Sequence, residues 1–282
     1  MQKILVPTDF SNNALKALAY AAELTQKSGA TIFLLHVIEP TINMVTMQSD
    51  SSSEKVVKER SDELNLSLKS LSEVYPDSKV IPHLAGGSVI SSILEYAEKE
   101  KVDLIVMGTK GASGIKKFFM GSVTAGAIGK TKIPILTVPV SYEMEEPDAI
   151  LFATNQFEKD IDVLNKVVSI SKQFSAIIHV AVFKDDDSDE AAEYIYNEEQ
   201  LNDYLEFLKE AFPDVAFRAA LLDGKDFELA IEEYSNKNEV DLIIMVTYPK
   251  SFIEKVLGKS ATKNMAFYST IPILAIPAIG DR

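Results

Sequence analysis

The sequence predicts an α/β protein built as two tandem doubly wound domains, each with a five-stranded parallel sheet flanked by helices. Three observations predict it. Short apolar runs rich in β-branched residues alternate with longer stretches of helical period, the pattern of a parallel sheet with crossover helices. Val102-Asp103-Leu104-Ile105-Val106-Met107 returns 138 residues later as Val240-Asp241-Leu242-Ile243-Ile244-Met245. At the same spacing Ile133-Pro134-Ile135-Leu136-Thr137-Val138-Pro139 returns as Ile271-Pro272-Ile273-Leu274-Ala275-Ile276-Pro277. That period is far longer than a solenoid unit, so each copy is expected to be a whole domain. A length of 282 residues accommodates two. The expected domains are residues 1–141 and 148–282, joined by the Glu-rich stretch Ser141–Asp148, which carries Pro147.

In the first copy the expected strands are Lys3–Pro7, Thr31–Val37, Lys79–His83, Asp103–Gly108 and Ile135–Pro139. Between the first two, Ala14, Leu15, Leu18, Ala21, Ala22 and Leu24 are read as one helical face, with Ser11 or Asn12 as N-cap and Gly29 as the stop. A second helix is expected over Glu54–Tyr75, with Val57, Leu64, Leu68 and Leu71 at helical spacing, after a Ser-rich, flexible loop Thr46–Ser53. Gly86-Gly87-Ser88 predicts a turn that caps a third helix running through Tyr96, and Gly121-Ser122 opens a fourth through Ala127. The second copy repeats the plan, with strands near Ile150–Thr154, Ala176–Phe183, Val215–Leu222, Asp241–Thr247 and Ile273–Pro277. Ile4–Asp9 parallels Ile150–Asn155, and His36-Val37 is matched with His179-Val180, which requires the offset to drift by a few residues.

Composition narrows the function classes. A net charge of −14 argues against a broad grip on nucleic acid or an anionic membrane surface. No apolar stretch is long enough to span a bilayer. Met1–Pro7 enters a strand-like run without an export leader, so a cytoplasmic location is expected. With no cysteine, disulfides, thiolate metal sites and cysteine nucleophiles are excluded. The charge is unevenly shared: residues 1–141 carry 15 Lys+Arg against 14 Asp+Glu, leaving 13 against 28 for residues 142–282. The run Asp185–Glu190 accounts for part of that excess and reads as a solvated loop rather than a metal site.

Chemistry is expected where the fourth strand of the first copy runs into Gly108-Thr109-Lys110-Gly111-Ala112-Ser113-Gly114-Ile115-Lys116-Lys117-Phe118-Phe119-Met120-Gly121-Ser122-Val123-Thr124. Glycines at 108, 111, 114 and 121 allow positive φ and close backbone approach, so that successive N–H groups converge on an anion such as a phosphate. The helix opening at Gly121-Ser122 would add free N–H donors and the positive end of its dipole. Lys110, Lys116 and Lys117 add nearby positive charge or simply face solvent. Asp9 follows the first strand as Gly108 ends the fourth. If strands two and three lie to one side of strand one and strand four to the other, both residues flank a topological switch point, where open α/β sheets bind ligands. A carboxylate suits ribose hydroxyls or an adenine amino group and would repel phosphates, which puts Asp9 at the nucleoside end. The competing reading is that Asp9 only caps the following helix.

Gly108-x2-Gly111-x9-Gly121-Ser122, together with Val6-Pro7-Thr8-Asp9, Leu35-His36-Val37 and Asp103–Gly108, resembles the nucleotide-binding signature of the universal stress protein family. The resemblance runs through both copies and implies a tandem member with Rossmann-like domains. For the ATP-binding members of that family it implies ATP, alone or with Mg²⁺, as ligand. Carried over by position, Asp9 would contact the nucleoside and Val37 the adenine by its main chain, with Pro7, Thr8, Met107 and Thr124 also counted among the nucleotide-binding residues. Gly108 and Gly111 would contact the sugar-phosphate, and Gly121, Ser122 and Val123 the phosphates. The family typically associates through its last strands, so the resemblance also implies an intramolecular pairing of the two copies, with a homodimer as a further option and a protein partner that is unknown.

The second copy departs where it matters. Asn155 stands for Asp9 and Val246 for Gly108, and in Thr247-Tyr248-Pro249-Lys250-Ser251-Phe252-Ile253 the glycines are gone, leaving Gly258 recognisable. Side chains would fill the phosphate's place and Pro249 removes an N–H, so this copy is expected to bind no ATP. Gly129-Lys130-Thr131 and Gly258-Lys259-Ser260 resemble the end of a P-loop, but Thr124 and Ile253 stand where that motif needs its first glycine. His36, His83 and His179, the only histidines, show no metal-ligand spacing; His36 and His179 are read as strand-end residues, with His36 adjoining the nucleotide. Three functions stay open: a nucleotide-dependent stress or signalling module with at most slow hydrolysis, an adenylyl- or phosphoryl-transfer enzyme, for which no general base is evident, and an interaction scaffold indifferent to nucleotide.

Overall fold

Strands that are buried on both faces have no polar face to show, and the central strands of this protein are correspondingly apolar along their whole length. In a computed structural model describing residues 1–39, 52–109, 121–143, 145–154, 157–185, 191–224, 227–247 and 270–278, Ile4, Leu5, Val6, Ile105 and Val106 are wholly buried. The protein forms two compact units, Met1–Ser141 and Tyr142–Arg282.

The first unit runs β1 (Lys3–Pro7), α1 (Asn12–Ser28), β2 (Thr31–Ile38), α2 (Ser52–Val74), β3 (Lys79–Gly86), α3 (Val89–Glu100), β4 (Leu104–Gly108), α4 (Ser122–Ile128) and β5 (Ile135–Val138). Its strands are parallel in the order β3-β2-β1-β4-β5. The chain therefore builds outward from β1 through β2 to β3 and then returns to lay β4 on the other side of β1. The reversal creates the expected switch point between β1 and β4.

Helix α1 begins at Ser11, whose hydroxyl accepts from the Ala14 N–H at 3.3 Å, and ends at Gly29 in the left-handed region with φ 64°. Its buried residues are Ala14, Ala17, Leu18, Tyr20, Ala21, Ala22 and Thr25. Leu15, read as part of the helical face, is 38% exposed. In α2, Leu64 and Leu71 are buried and Val57 is exposed. Strand β3 is an edge strand, mostly exposed, and carries Pro82, which edges tolerate. It continues to Gly86, three residues past the expected end, because its ladder with β2 persists to the pair Ile38 and Gly86. Gly87, at φ 132°, makes the turn; Ser88 sits at the N-cap of α3, but its side chain makes no capping bond.

The second unit runs β6 (Ala149–Ala153), α5 (Ile161–Phe174), β7 (Ile177–Asp185), α6 (Ala191–Ala211), β8 (Phe217–Gly224), α7 (Phe227–Lys237), β9 (Leu242–Thr247) and β10 (Ile273–Pro277), with its strands ordered β10-β9-β6-β7-β8. The stretch expected as linker packs onto this unit: Pro147 is buried and the Tyr142 hydroxyl donates to the Asp241 carbonyl at 3.4 Å. Burial, reinforced by the Asp241 charge, pushes the Tyr142 phenol up to about 12.

The repeated Val-Asp-Leu-Ile motif has one structural job in both units. Asp103 Oδ2 accepts the N–H groups of Gln2 and Lys3 at 2.6 and 3.0 Å, while Asp241 Oδ2 accepts those of Asp148 and Ala149 at 2.9 and 3.1 Å. Each aspartate clasps the start of the strand beside its own. The ladders also set the register between copies. Leu5 pairs with Phe33 and Leu151 with His179, so His179 corresponds to Phe33 and not to His36. The offset is a constant 146 through this strand, and the histidine match at 143 is a coincidence of residue type. His179 is a buried strand residue, its ring 5.8 Å from that of Tyr234, just as Phe33 lies 6.0 Å from Tyr96.

Candidate functional site

Pro7 ends β1, and the next four residues turn the backbone into α1 through a relay of bonds from backbone N–H groups to side-chain oxygens. The Phe10 N–H donates to Thr8 Oγ1 at 3.0 Å and the Ser11 N–H to Asp9 Oδ1 at 3.1 Å, before Ser11 caps the helix. Asp9 is therefore not the cap. It holds the turn ahead of it, and its carboxylate is exposed. Phe10 takes a left-handed φ of 64°, a conformation that costs a residue with a Cβ about 1–2 kcal/mol. Its ring packs against that of His36, centroids 4.5 Å apart, which offsets part of that cost.

The last rung between β1 and β2 is the Thr8 N–H donating to the Leu35 carbonyl at 2.8 Å, yet β2 continues to Ile38. The backbone of His36 and Val37 thus passes the end of β1, where no strand pairs it on that side. The Thr8 carbonyl instead takes His36 Nδ1 at 2.8 Å.

Across the switch point, β4 ends at Gly108 against the first turn of α1. A Cβ there would stand 2.7 Å from the Asn13 carbonyl oxygen and 2.9 Å from the Asn13 Cβ. The Thr124 hydroxyl donates to the Gly108 carbonyl at 3.0 Å and so bolts α4 to the end of β4. The Gly121 N–H reaches the Thr109 carbonyl at 2.5 Å, so residues 109 and 121 meet although eleven residues separate them. Gly121 is the N-cap of α4 at φ −57°, and having no side chain it leaves the helix start uncapped. The first-turn N–H groups, Ser122 to Thr124, have no partner within the helix.

These observations correct the reason given for two glycines. Among the described residues the positive-φ glycines are Gly29 and Gly87, and Gly108 and Gly121 are not among them. Gly108 is required by the approach of α1, a contact between residues 95 apart in sequence.

Together these segments enclose a crevice of about 350 Å³ at the carboxyl ends of β1 and β4. The expected site residues Pro7, Thr8, Asp9, Val37, Met107, Gly108, Gly121, Ser122, Val123 and Thr124 all line it. Gly111 lies outside the described residues, as do Lys110, Gly114, Lys116 and Lys117. Sequence reasoning missed Ala14, Leu35, Val89 and Ile93, which supply apolar wall from α1, β2 and α3. The turn expected at Gly86-Gly87-Ser88 locates the start of α3, but no local pattern says which of its residues turn inward. Among the described lining residues Asp9 and His36 are the ionisable ones. No group of three His, Asp or Glu side chains among the described residues is arranged to hold a metal, and no described helix is long and apolar enough to cross a membrane.

The second unit differs at the corresponding place. Val246 occupies the position of Gly108, paired with Ile276 as Gly108 is with Val138. The neighbouring helix also differs: α5 starts at Ile161, eleven residues after Ile150, whereas α1 starts eight residues after Ile4. The N-cap is correspondingly Asp160, which accepts from the Asp162 and Val163 N–H groups. Glu158, buried, accepts the Asp160 N–H at 2.7 Å, and its carbonyl takes the Tyr204 hydroxyl. Asn155, the loop from Tyr248 to Ile253 and Gly258 are outside the described residues.

The model of the universal stress protein family matches residues 1–139. A universal stress protein of Methanocaldococcus jannaschii is 30% identical over 139 residues, covering 49% of this chain and 81% of that protein. One of Thermus aquaticus is 30% identical over 135 residues, 48% of this chain and 96% of its own. Among solved structures, a universal stress protein from Archaeoglobus fulgidus superposes with a TM-score of 0.69 at 22% identity, over 98% of this chain and 96% of that one. That likeness extends the shared fold through both copies.

Proposed function

The chain belongs to the universal stress protein family, and from that premise we propose that its first domain binds ATP in the β1–β4 crevice and acts as a nucleotide-dependent stress or signalling module. The observation that carries this reading is the composition of one crevice: apolar walls and an unpaired strand edge at Val37, an acidic acceptor at Asp9, and the uncapped start of α4 at Gly121–Thr124. Its volume of about 350 Å³ lies within the range of small-molecule sites.

In this reading adenine lies against Val37 and Met107, the ribose faces Asp9, and the phosphates run to the N–H groups of Ser122 and Val123. The Thr124 hydroxyl proton is already given to Gly108, so Thr124 would contribute its main chain. An accompanying Mg²⁺ would draw its oxygens chiefly from the phosphates and water. Hydrolysis is at most slow, since the two ionisable groups of the described lining sit at the nucleoside end. The second domain binds no ATP: Val246 and the later start of α5 replace the Gly108 arrangement. Calorimetry with ATP, combined with identification of nucleotide released from freshly purified protein, tests this. One adenine nucleotide per chain is expected; none, or two, overturns it.

A further inference from the structure

A carbonyl oxygen has no proton to give. The 2.8 Å contact between His36 Nδ1 and the Thr8 carbonyl therefore requires the proton to be on Nδ1. In the neutral ring that leaves Nε2 as a lone-pair acceptor, the tautomer being set by the partner of the other nitrogen. Among the described residues Nε2 makes no hydrogen bond, and His36 lines the crevice beside Thr8 and Asp9. The ring is held on two counts, by the Thr8 bond and by the face of Phe10, whose left-handed backbone the Thr8 hydroxyl supports.

The nucleoside end thus carries two side-chain acceptors, the Asp9 carboxylate and Nε2 of the neutral His36 ring. A ribose presents the complement, two vicinal O–H donors. The adenine amino group is the other donor at that end, but the backbone carbonyl of Val37 already offers it an acceptor. Resting on the ATP-binding reading above, we propose that His36 is a specificity-determining residue that selects ribonucleotides, with Nε2 accepting from one hydroxyl of the cis-diol and Asp9 from the other.

The test is calorimetric titration of the full-length protein with ATP, 2′-deoxy-ATP and 3′-deoxy-ATP, for the wild type, His36→Phe and His36→Asn. Phe keeps a ring for Phe10 to pack against, and Asn keeps an N–H near the place of Nδ1 to serve the Thr8 carbonyl; both lack Nε2. The wild type is expected to prefer ATP over at least one deoxy analogue by about tenfold, a single-hydrogen-bond effect. In both variants ATP should weaken by about that factor, the analogue should bind as it does to wild type, and the preference should vanish. Thermal melts identify a variant that does not fold, and the other then decides. A wild type that binds all three equally, or variants that keep the preference, overturn the role of His36 and leave the ATP reading intact. A wild type that binds none of them overturns the ATP reading and this inference with it.

Discussion

Gly108 and Asn13 are in contact so close that a methyl group on Gly108 would stand 2.7 Å from the Asn13 carbonyl oxygen, well inside van der Waals distance. Because the obstacle is helix backbone, relief requires α1 to move. Gly108→Ala should therefore destabilise the first domain by about 1–3 kcal/mol, read as a lower urea midpoint at unchanged slope. ATP binding should weaken with it, since α1 carries the Asp9 turn. An unchanged midpoint would show that the helix yields freely. The reciprocal Val246→Gly should open no second ATP site, because α5 starts three residues late regardless of what stands at 246.

Asp9 has separable duties, and the choice of substitution splits them. Asp9→Asn retains an oxygen for the Ser11 N–H but loses the charge, so stability should hold while ATP affinity falls by about tenfold. Asp9→Ala should add a stability loss of about 1 kcal/mol from the orphaned turn. Equal ATP affinity in wild type and Asp9→Asn would remove Asp9 from the nucleoside contact.

The clasps at Asp103 and Asp241 predict matching effects in the two units. Asp103→Ala leaves the N–H groups of Gln2 and Lys3 without their shared acceptor, and solvent access keeps the loss to about 1 kcal/mol. Amide exchange should quicken at Lys3 and its neighbours in β1 and leave Ala149 protected, with the converse in Asp241→Ala. Exchange that quickens in both units from either substitution would contradict clasps confined to their own units.

His179 gives the second unit a pH dependence. Burial, assisted by the Arg218 charge, lowers its pKa below the ordinary 6.5, while Tyr234 OH shares its Nδ1 at 3.0 Å. The unfolded state therefore binds more protons than the folded one as pH falls through 6.5. Stability rises with pH across the window below that value and is level above it. Melting of the second unit should drop from pH 7 to pH 5.5. His179→Phe should flatten that drop, since Phe33 already occupies the equivalent position against Tyr96 in the first unit. A drop that persists in the variant would assign it to other groups.

Most of the fold and much of the crevice could be read from residue order. Alternation of apolar runs with helical stretches sets the strand count, because a strand covered on both faces must be apolar throughout. The repeat of Val102–Met107 at Val240–Met245 locates corresponding strands, while the switch point is a conditional expectation that the observed order β3-β2-β1-β4-β5 fulfils. With that order, Pro7, Asp9, Met107, Gly108 and Gly121 come together at the carboxyl ends of β1 and β4. Three matters needed tertiary contacts. Which histidine corresponds to which is a question of ladder register, and only the hydrogen-bonded pairs of Leu5 with Phe33 and Leu151 with His179 answer it. The need for glycine at 108 comes from a helix packed across the sheet, invisible to any local pattern of backbone freedom. The tautomer of His36 depends on a carbonyl 28 residues away, because a ring nitrogen takes its role from what it meets, and what it meets is decided by the fold.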